Sequence, residues 1–314
     1  MRLSDKETLH TLALYALPPL VAGFGLGLPA ALLVSLVAIA SGIVVNMRGL
    51  LAPADPDLVE LHTISYSHYV EKVRWCLDRT GIAYREVPSI GILGILLTAR
   101  TVPMLVIPAS RTSIGDSPKI LRYLWGAWSP LLPAERCRFL EATPEALELE
   151  KHLDADLGVN VRLWSYWHLL QHPGLTALMW GVHEPTIPQW QRVLLPRIQP
   201  LLAAILRRML GVSESRAAEA LAATREVFRE VDAMLADGRR YLMGGDEITF
   251  VDITFASLAA LVLFPDGYGG SAVTMRRAPL EQLSPEWRAE VDSLRATAAG
   301  QFVLRLYDEE RQAR

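Results

Sequence analysis

The sequence predicts an α/β unit followed by an all-helical one, with an apolar segment ahead of both. Three observations carry this. Residues 58–65, LVELHTIS, read as a strand that enters a turn and then a helix; residues 249–263 open on a helix-start signal and continue apolar; and residues 8–47 contain no Asp, Glu, Lys or Arg. The boundaries that follow are 1–50 for a membrane anchor, 51–57 for a linker, 58–128 for the α/β unit, 129–143 for a second linker and 144–314 for the helical unit.

The apolar stretch is long enough for one or two transmembrane helices, since a span needs about 20 apolar residues. Pro18-Pro19, the glycines of GFGLG and Pro29 divide it into segments near 9–22 and 30–46. Arg2 and Lys6 precede it and Arg48 follows it. By the positive-inside rule both ends lie on the cytoplasmic side, as a hairpin or re-entrant loop requires; a single span would separate those charges. Ala38-Ile39-Ala40 resembles a signal-peptidase site, but the stretch is twice the usual length and Asp5 and Glu7 sit in its leading region. The glycines do not form a dinucleotide loop, because no strand precedes them. LAPADPD, with two prolines and two acids, reads as a linker.

The chain has 314 residues, 51% of them hydrophobic, and a formal net charge of −3. Its basic residues are scattered, which speaks against a nucleic-acid partner, because a phosphate backbone needs a concentrated positive surface. The two cysteines, Cys76 and Cys137, form neither a CxxC pair nor a ligand set, in keeping with a reducing compartment. His168 and His172 stand four apart on a predicted helix without a third ligand, so no metal is expected. Asp154 and Asp156 read as a solvated face.

Within the α/β unit, Tyr69–Thr80 places Val70, Val73 and Leu77 on one helical face before Gly81 ends the helix. Ile82–Val87 reads as a strand, 89–98 as a helix, Met104–Ile107 as a strand entered through Val102-Pro103, and Ser117–Leu124 as a helix. This order overlays the βαβ-α-ββα order of the thioredoxin fold. Cys76 faces the Val73 and Leu77 side and reads as a buried structural thiol. In the helical unit, Ser215–Ala236 reads as an amphipathic helix with apolar contacts at 221, 228, 231 and 235. Thr249 and Asp252 form a capping box, with Ile248 and Ile253 as the staple around it. Trp164, Trp167, Trp180 and Trp190 fill core or line an apolar pocket. Residues 302–307 pack a terminal helix.

The segment SYSHYVEKVRWCLDRTGIAY resembles the S-P-Y-x-x-K-V-R-x-x-L pattern of serine- and cysteine-type glutathione transferases. Thr101-Val102-Pro103-Met104-Leu105 resembles that family's cis-proline motif, and Gly115-Asp116-Ser117 with Ile120, Tyr123 and Leu124 resembles its acidic-Ser-x-x-I-x-x-Y-L motif. The capping box resembles that of the family's C-terminal domain. The resemblance covers about residues 58–314 and implies a thioredoxin-like N-terminal domain with an all-α C-terminal domain.

It also implies a ligand, glutathione, as co-substrate. Ser67 takes the place of the catalytic serine or cysteine, where a hydroxyl beside sulfur stabilises the nucleophilic thiolate; a thiol of pKa near ~8.5 is mostly protonated at neutral pH. Ser67 also serves as a helix cap in a plain structural reading. The Val102 main chain, ahead of a cis Pro103, pairs with the cysteinyl backbone. Ser117 with its helix N-terminus holds the γ-glutamyl carboxylate, and Asp116 holds the ammonium. Thr63 stands where tyrosine-type relatives place their tyrosine, so Tyr66 and Tyr69 are not substitutes for it. His68 replaces the usual turn proline, and SIGILGILLTAR lacks the polar run that holds the glycyl end.

Two functions follow from the resemblance. One is a membrane-anchored glutathione transferase that conjugates the thiolate to a small hydrophobic electrophile, its folded part facing the cytoplasm and paired as a homodimer as relatives usually are. The other is a non-catalytic, metaxin-like interaction protein of the same fold.

Overall fold

The computed structural model describes residues 58–64, 66–91, 101–110, 112–187, 189–270 and 279–311. The predicted anchor and first linker lie outside the described residues, as does most of the helix expected at 89–98. No helix among the described residues is long and apolar enough to cross a membrane.

The first layer is a four-stranded sheet. Strands β1 (Val59–Ile64), β2 (Tyr84–Ser89), β3 (Met104–Ile107) and β4 (Thr112–Gly115) stand in the order β2-β1-β3-β4, with β2 parallel to β1 and both β3 and β4 antiparallel to their neighbours. Strand β1 alternates buried Val59, Leu61 and Thr63 with partly exposed neighbours, as a sheet with two different faces requires. Helix α1 (His68–Thr80) crosses between β1 and β2, and α2 (Ser117–Trp128) follows β4. This is the predicted thioredoxin-like order. The second strand begins two residues later than expected: Gly81 at φ +71° caps α1 by accepting the left-handed turn, and pairing starts only where Tyr84 meets Val59. Ile82 is buried ahead of it.

The helical layer comprises α3 (Ala134–Cys137), α4 (Pro144–His152), α5 (Val159–Leu169), α6 (Pro173–Met179), α7 (Gln189–Leu210), α8 (Glu214–Leu235), α9 (Phe250–Leu263), α10 (Pro285–Arg295) and α11 (Ala298–Glu309). A π-helical turn, Leu153–Gly158, joins α4 to α5 without breaking the rod. Helix α8 buries Ala217, Ala220, Thr224, Val227, Phe228 and Val231, and the other two expected contacts, Leu221 and Leu235, pack against the core while partly exposed.

Helix α9 is the centre. All fourteen of its residues are buried. It packs on α1, α4, α5, α10, α11 and the π-helical turn, and meets α8 through Phe255 and Phe228, whose rings lie 5.6 Å apart. The predicted capping box is present. Asp252 Oδ2 accepts from the Thr249 amide at 2.7 Å and from its hydroxyl at 2.8 Å, while Oδ1 accepts from the Leu242 amide at 2.7 Å. The aspartate therefore starts the helix and fastens the preceding loop to it.

Helix α1 is also buried almost all round, although it carries Glu71, Lys72 and Arg74, each fully buried. Lys72 Nζ lies 2.8 Å from Glu150 and 3.0 Å from Asp154. Arg74 pairs with Glu71 at 2.6 Å and with Glu86 of β2. Arg311, beyond α11, reaches Glu71 at 2.9 Å and Asp78 at 2.7 Å. Asp154 is thus not part of a solvated face; only Asp156 is exposed, held by His152 at 2.9 Å. The reading failed because a cation on another layer, Lys72, draws Asp154 inward.

His68, the residue in place of the turn proline, is buried with Nε2 2.9 Å from the Gly158 carbonyl. Burial first, and then the Arg162 guanidinium, depress its pKa from 6.5 to about 3. His168 stacks on Trp287 at 4.9 Å, and burial depresses its pKa to about 4. Cys76 is buried, which pushes its thiol up to about 12, as an inert core thiol should be.

Two predictions follow from the packing. Asp252→Ala removes a cap and strands the Leu242 amide, so it should cost about 2–4 kcal/mol in denaturant unfolding; a loss below about 0.5 kcal/mol would show that α9 does not depend on the carboxylate. His68, buried, and His168, partly buried, have native pKa values below their unfolded ones. The unfolded state therefore takes up protons first as pH falls through about 6.5, and stability should drop progressively toward pH 3–4. His68 alone should account for about 2 kcal/mol between pH 7.5 and 5. The exposed His152, raised by its Glu230 hydrogen bond, acts weakly in the opposite sense. Urea midpoints at the two pH values should converge in His68→Gln relative to the parent; an unchanged difference would rule His68 out.

Candidate active site

The turn at residues 66–69 sits where the sheet, α1 and the π-helical turn meet. Tyr66 adopts φ +57°, uncommon for a bulky residue, and its ring is wedged against Tyr268 at 4.5 Å and Phe264 at 6.1 Å. Ser67 is the N-cap of α1, its Oγ accepting from the Val70 amide at 3.4 Å. That bond uses a lone pair and leaves the hydroxyl proton free to be donated. Tyr69 donates its hydroxyl to the Asp154 carbonyl at 3.2 Å, and burial pushes its pKa up to about 12. Its phenol is therefore committed to the backbone. Gly158 is required here, because a Cβ would stand 2.4 Å from the Tyr69 hydroxyl.

The second feature is the entry to β3, where the Val102–Pro103 peptide bond is cis, as predicted. The third is the start of α2. Asp116 has φ +75° and ψ 123°, a conformation that costs a non-glycine residue of order 1–3 kcal/mol and tends to persist at functional sites. Its carboxylate is exposed, with Lys119 at 3.6 Å. Ser117 is buried and its Oγ has no hydrogen-bond partner among the described residues.

These features line two adjoining cavities. A polar one of about 720 Å³ brings together Val102, Pro103, Asp116 and Ser117, with Arg122, Lys151 and Asp154 on its far side. A narrower apolar one of about 210 Å³ is lined by Ser67, Met179, Trp180, Leu206 and Leu261, among others. Tyr69, Val102 and Arg162 border both. Four predicted site residues therefore share one cavity, while Ser67 faces the neighbouring one across Val102. Trp180 lines the apolar cavity, whereas Trp164 is buried in the main core and Trp167 packs at its edge; the Trp190 side chain lies outside the described residues.

Sequence reading missed Arg162 of α5. Nothing in its local sequence marks it, because its significance comes from α5 docking against the 66–69 turn. Helix α7 lies within the unit expected to be all-helical, but no sequence signal assigned it to the site. That helix carries Pro196 and Pro200 in its interior, at exposed positions, and supplies Leu206, Met209 and Leu210 to the apolar cavity. The prolines remove two helix hydrogen bonds, and a satellite core of Ile90, Leu170, Trp180, Ile187, Leu195, Leu202 and Leu206 holds the helix in place.

Among known proteins, residues 61–127 match the family described as glutathione S-transferase, N-terminal domain. No curated protein matches the chain by sequence. A glutathione S-transferase of Ceriporiopsis subvermispora, solved in complex with glutathione, superposes with a TM-score of 0.50 at 17% identity, over 82% of this chain and 99% of that one. A glutathione transferase of Phanerochaete chrysosporium superposes at 0.49 with 16% identity, over 80% and 96%. The chain thus resembles the glutathione S-transferase superfamily by sequence in its α/β part and by fold across both of its layers.

Proposed function

We propose that this chain binds glutathione and transfers its thiolate to a hydrophobic electrophile. The observation that carries the reading is the adjacency of the two cavities: a polar chamber with Asp116 and Ser117 shares Val102 as a wall with an apolar chamber that Ser67 faces. A tripeptide with a charged amino-acid end and a central thiol suits that arrangement. Asp116 would take the γ-glutamyl ammonium, and the unpaired Ser117 hydroxyl with the α2 N-terminus the carboxylate. The Val102 main chain would pair with the cysteinyl backbone. Ser67 would donate its hydroxyl to sulfur, favouring the thiolate, and the α1 N-terminus adds a partial positive charge. The thiol proton leaves to solvent, and the thiolate's electron pair forms the S–C bond inside the apolar cavity as the bond from the attacked carbon to its leaving group breaks, the leaving group departing with that bond's electron pair.

The reading extends to location. Residues 1–50 would anchor the protein to a membrane as one or two spans, with 51–57 as linker, 58–128 as the glutathione-binding domain, 129–143 as the second linker and 144–314 as the helical domain. The charges at Arg2, Lys6 and Arg48 favour a cytoplasmic folded part, where glutathione is supplied. Pairing as a homodimer belongs to the same proposal.

Calorimetric titration of glutathione into the full chain in detergent should give saturable binding. Asp116→Ala should weaken it by about tenfold or more, the value of one charge-assisted hydrogen bond. Ser67→Ala should keep the affinity and lose roughly 10²-fold in conjugation rate, the usual effect of removing one donor to a developing anion. A folded chain that gives no binding heat would transfer the reading to the non-catalytic interaction protein. For orientation, protease added outside sealed inverted vesicles should digest the folded part without detergent; protection there would place it on the wrong side for its ligand.

A further inference from the structure

The apolar cavity beside Ser67 has an uneven lining. Its walls are Leu169, Met179, Trp180, Leu206, Leu210 and Leu261, yet its rim holds one guanidinium, Arg162, and no carboxylate. Arg162 makes no hydrogen bond and no ion pair among the described residues, in a fold where the buried cations Lys72, Arg74 and Arg311 each engage two acids. Its charge acts on His68, Tyr69 and Tyr166, none of which is negatively charged at neutral pH. On the side of the apolar cavity no carboxylate meets the charge, whereas on its other side Arg162 borders the polar cavity, lined by Asp116, Glu150 and Asp154. It is also fixed close to the Ser67 turn, since His68 and Tyr69 flank that turn.

A second, independent observation points the same way. Ser165 is one helical turn further along α5, on the same face by i,i+3 spacing. It is buried, its Oγ has no partner among the described residues, and it lines the same cavity. A buried hydroxyl left without a partner costs about 1–3 kcal/mol, so an unfilled one beside a cavity marks a place where a ligand oxygen fits.

We propose that the apolar cavity takes a molecule with an acidic end, an aryl or alkyl carboxylate or sulfonate, whose anion is held by Arg162 and Ser165 while its apolar body lies against Met179, Trp180 and Leu206. This rests on the glutathione reading only in calling that molecule the second substrate; the pocket itself is argued from its own lining. The acceptor class narrows accordingly, from any hydrophobic electrophile to one with an acid group at the far end from the attacked carbon. Arg162 and Ser165 act on specificity, not on the thiolate.

The test uses 4-phenylbutyrate and 4-phenylbutanol, which share an apolar body and differ in the acid. Each is titrated calorimetrically into the full chain in detergent, with the heat of micelle partitioning subtracted from a protein-free blank. The carboxylate should bind at least about tenfold more tightly than the alcohol, as one charge-assisted hydrogen bond provides. In Arg162→Met the two affinities should converge, because only the acid loses a partner. Ser165→Ala should remove part of the preference. Arg162→Met breaks no hydrogen bond or ion pair among the described residues, so its thermal unfolding should match the parent. Equal affinities in the parent would overturn the proposal, as would a preference that survives Arg162→Met. So would a variant that loses glutathione binding while keeping the preference, since Arg162 would then serve the neighbouring chamber. An acid preference seen in a chain that fails to bind glutathione would uphold the pocket and sink only the transferase reading.

Discussion

Three charged side chains on one buried helix impose the constraint on which the rest of the structure hangs. Glu71, Lys72 and Arg74 of α1 are fully buried, and a buried ion without a partner costs several kcal/mol. Each must therefore be met by an opposite charge from another layer. Glu86 comes from the sheet, Glu150 and Asp154 from the rod of α4 and its π-helical turn, and Arg311 from beyond α11. A shift of any layer relative to α1 would leave a charge unmatched. Such clusters contribute little net stability compared with an apolar core, but they discriminate strongly between packings that differ by one register step. The residues read in sequence as a family signature, Glu71-Lys72-Val73-Arg74, are thus the ones that fasten the α/β part to the helical part.

The site inherits its precision from that fastening. Ser67 and His68 are the residues immediately before and at the start of α1, so whatever fixes α1 fixes them. His68 adds a tie to the Gly158 carbonyl and Tyr69 one to the Asp154 carbonyl, both on the π-helical turn. A π turn widens the helix by one residue and is often found at functional sites. Here it presents two carbonyls to the active-site turn, and Gly158 gives Tyr69 the space to approach. The replacement of proline by histidine in the turn is accommodated in this way: a ring that would otherwise be exposed becomes a buried hydrogen-bonding strut.

Much of this was legible in the sequence wherever the signal is local. The capping box of Thr249 and Asp252, the cis bond before Pro103 and the strand-turn-helix around Ser67 each depend on residues within a few positions of one another. The same is true of the order of elements through the α/β part. What escaped reading depends on the partner of a residue across layers. Asp154 looks solvated beside Asp156 because both are acids on a polar stretch; only Lys72, far away in the chain, separates their fates. Arg162 looks like one more helix-surface arginine until α5 is docked against the 66–69 turn. The second strand began late for a more local reason, the left-handed cap at Gly81 that delays pairing until Tyr84.

The two cavities differ in character because different parts of the helical layer complete them. The polar one lies between the entry to β3 with the start of α2 on one side and α4 with its π-helical turn on the other, which bring Glu150, Lys151 and Asp154. A strained Asp116 and an unpaired Ser117 are tolerable there if a ligand completes them. The apolar one is walled by α5, α6, α7 and α9, whose inward faces are Leu, Met and Trp by the same periodicity that builds the core. An arginine on such a wall is the exception. The acids of the helical rod are already held by Lys72 and Arg122, with Glu150 lying 2.8 Å and 3.3 Å from them respectively. No carboxylate lines the apolar cavity, so on that side the charge of Arg162 faces a space that an incoming molecule can fill.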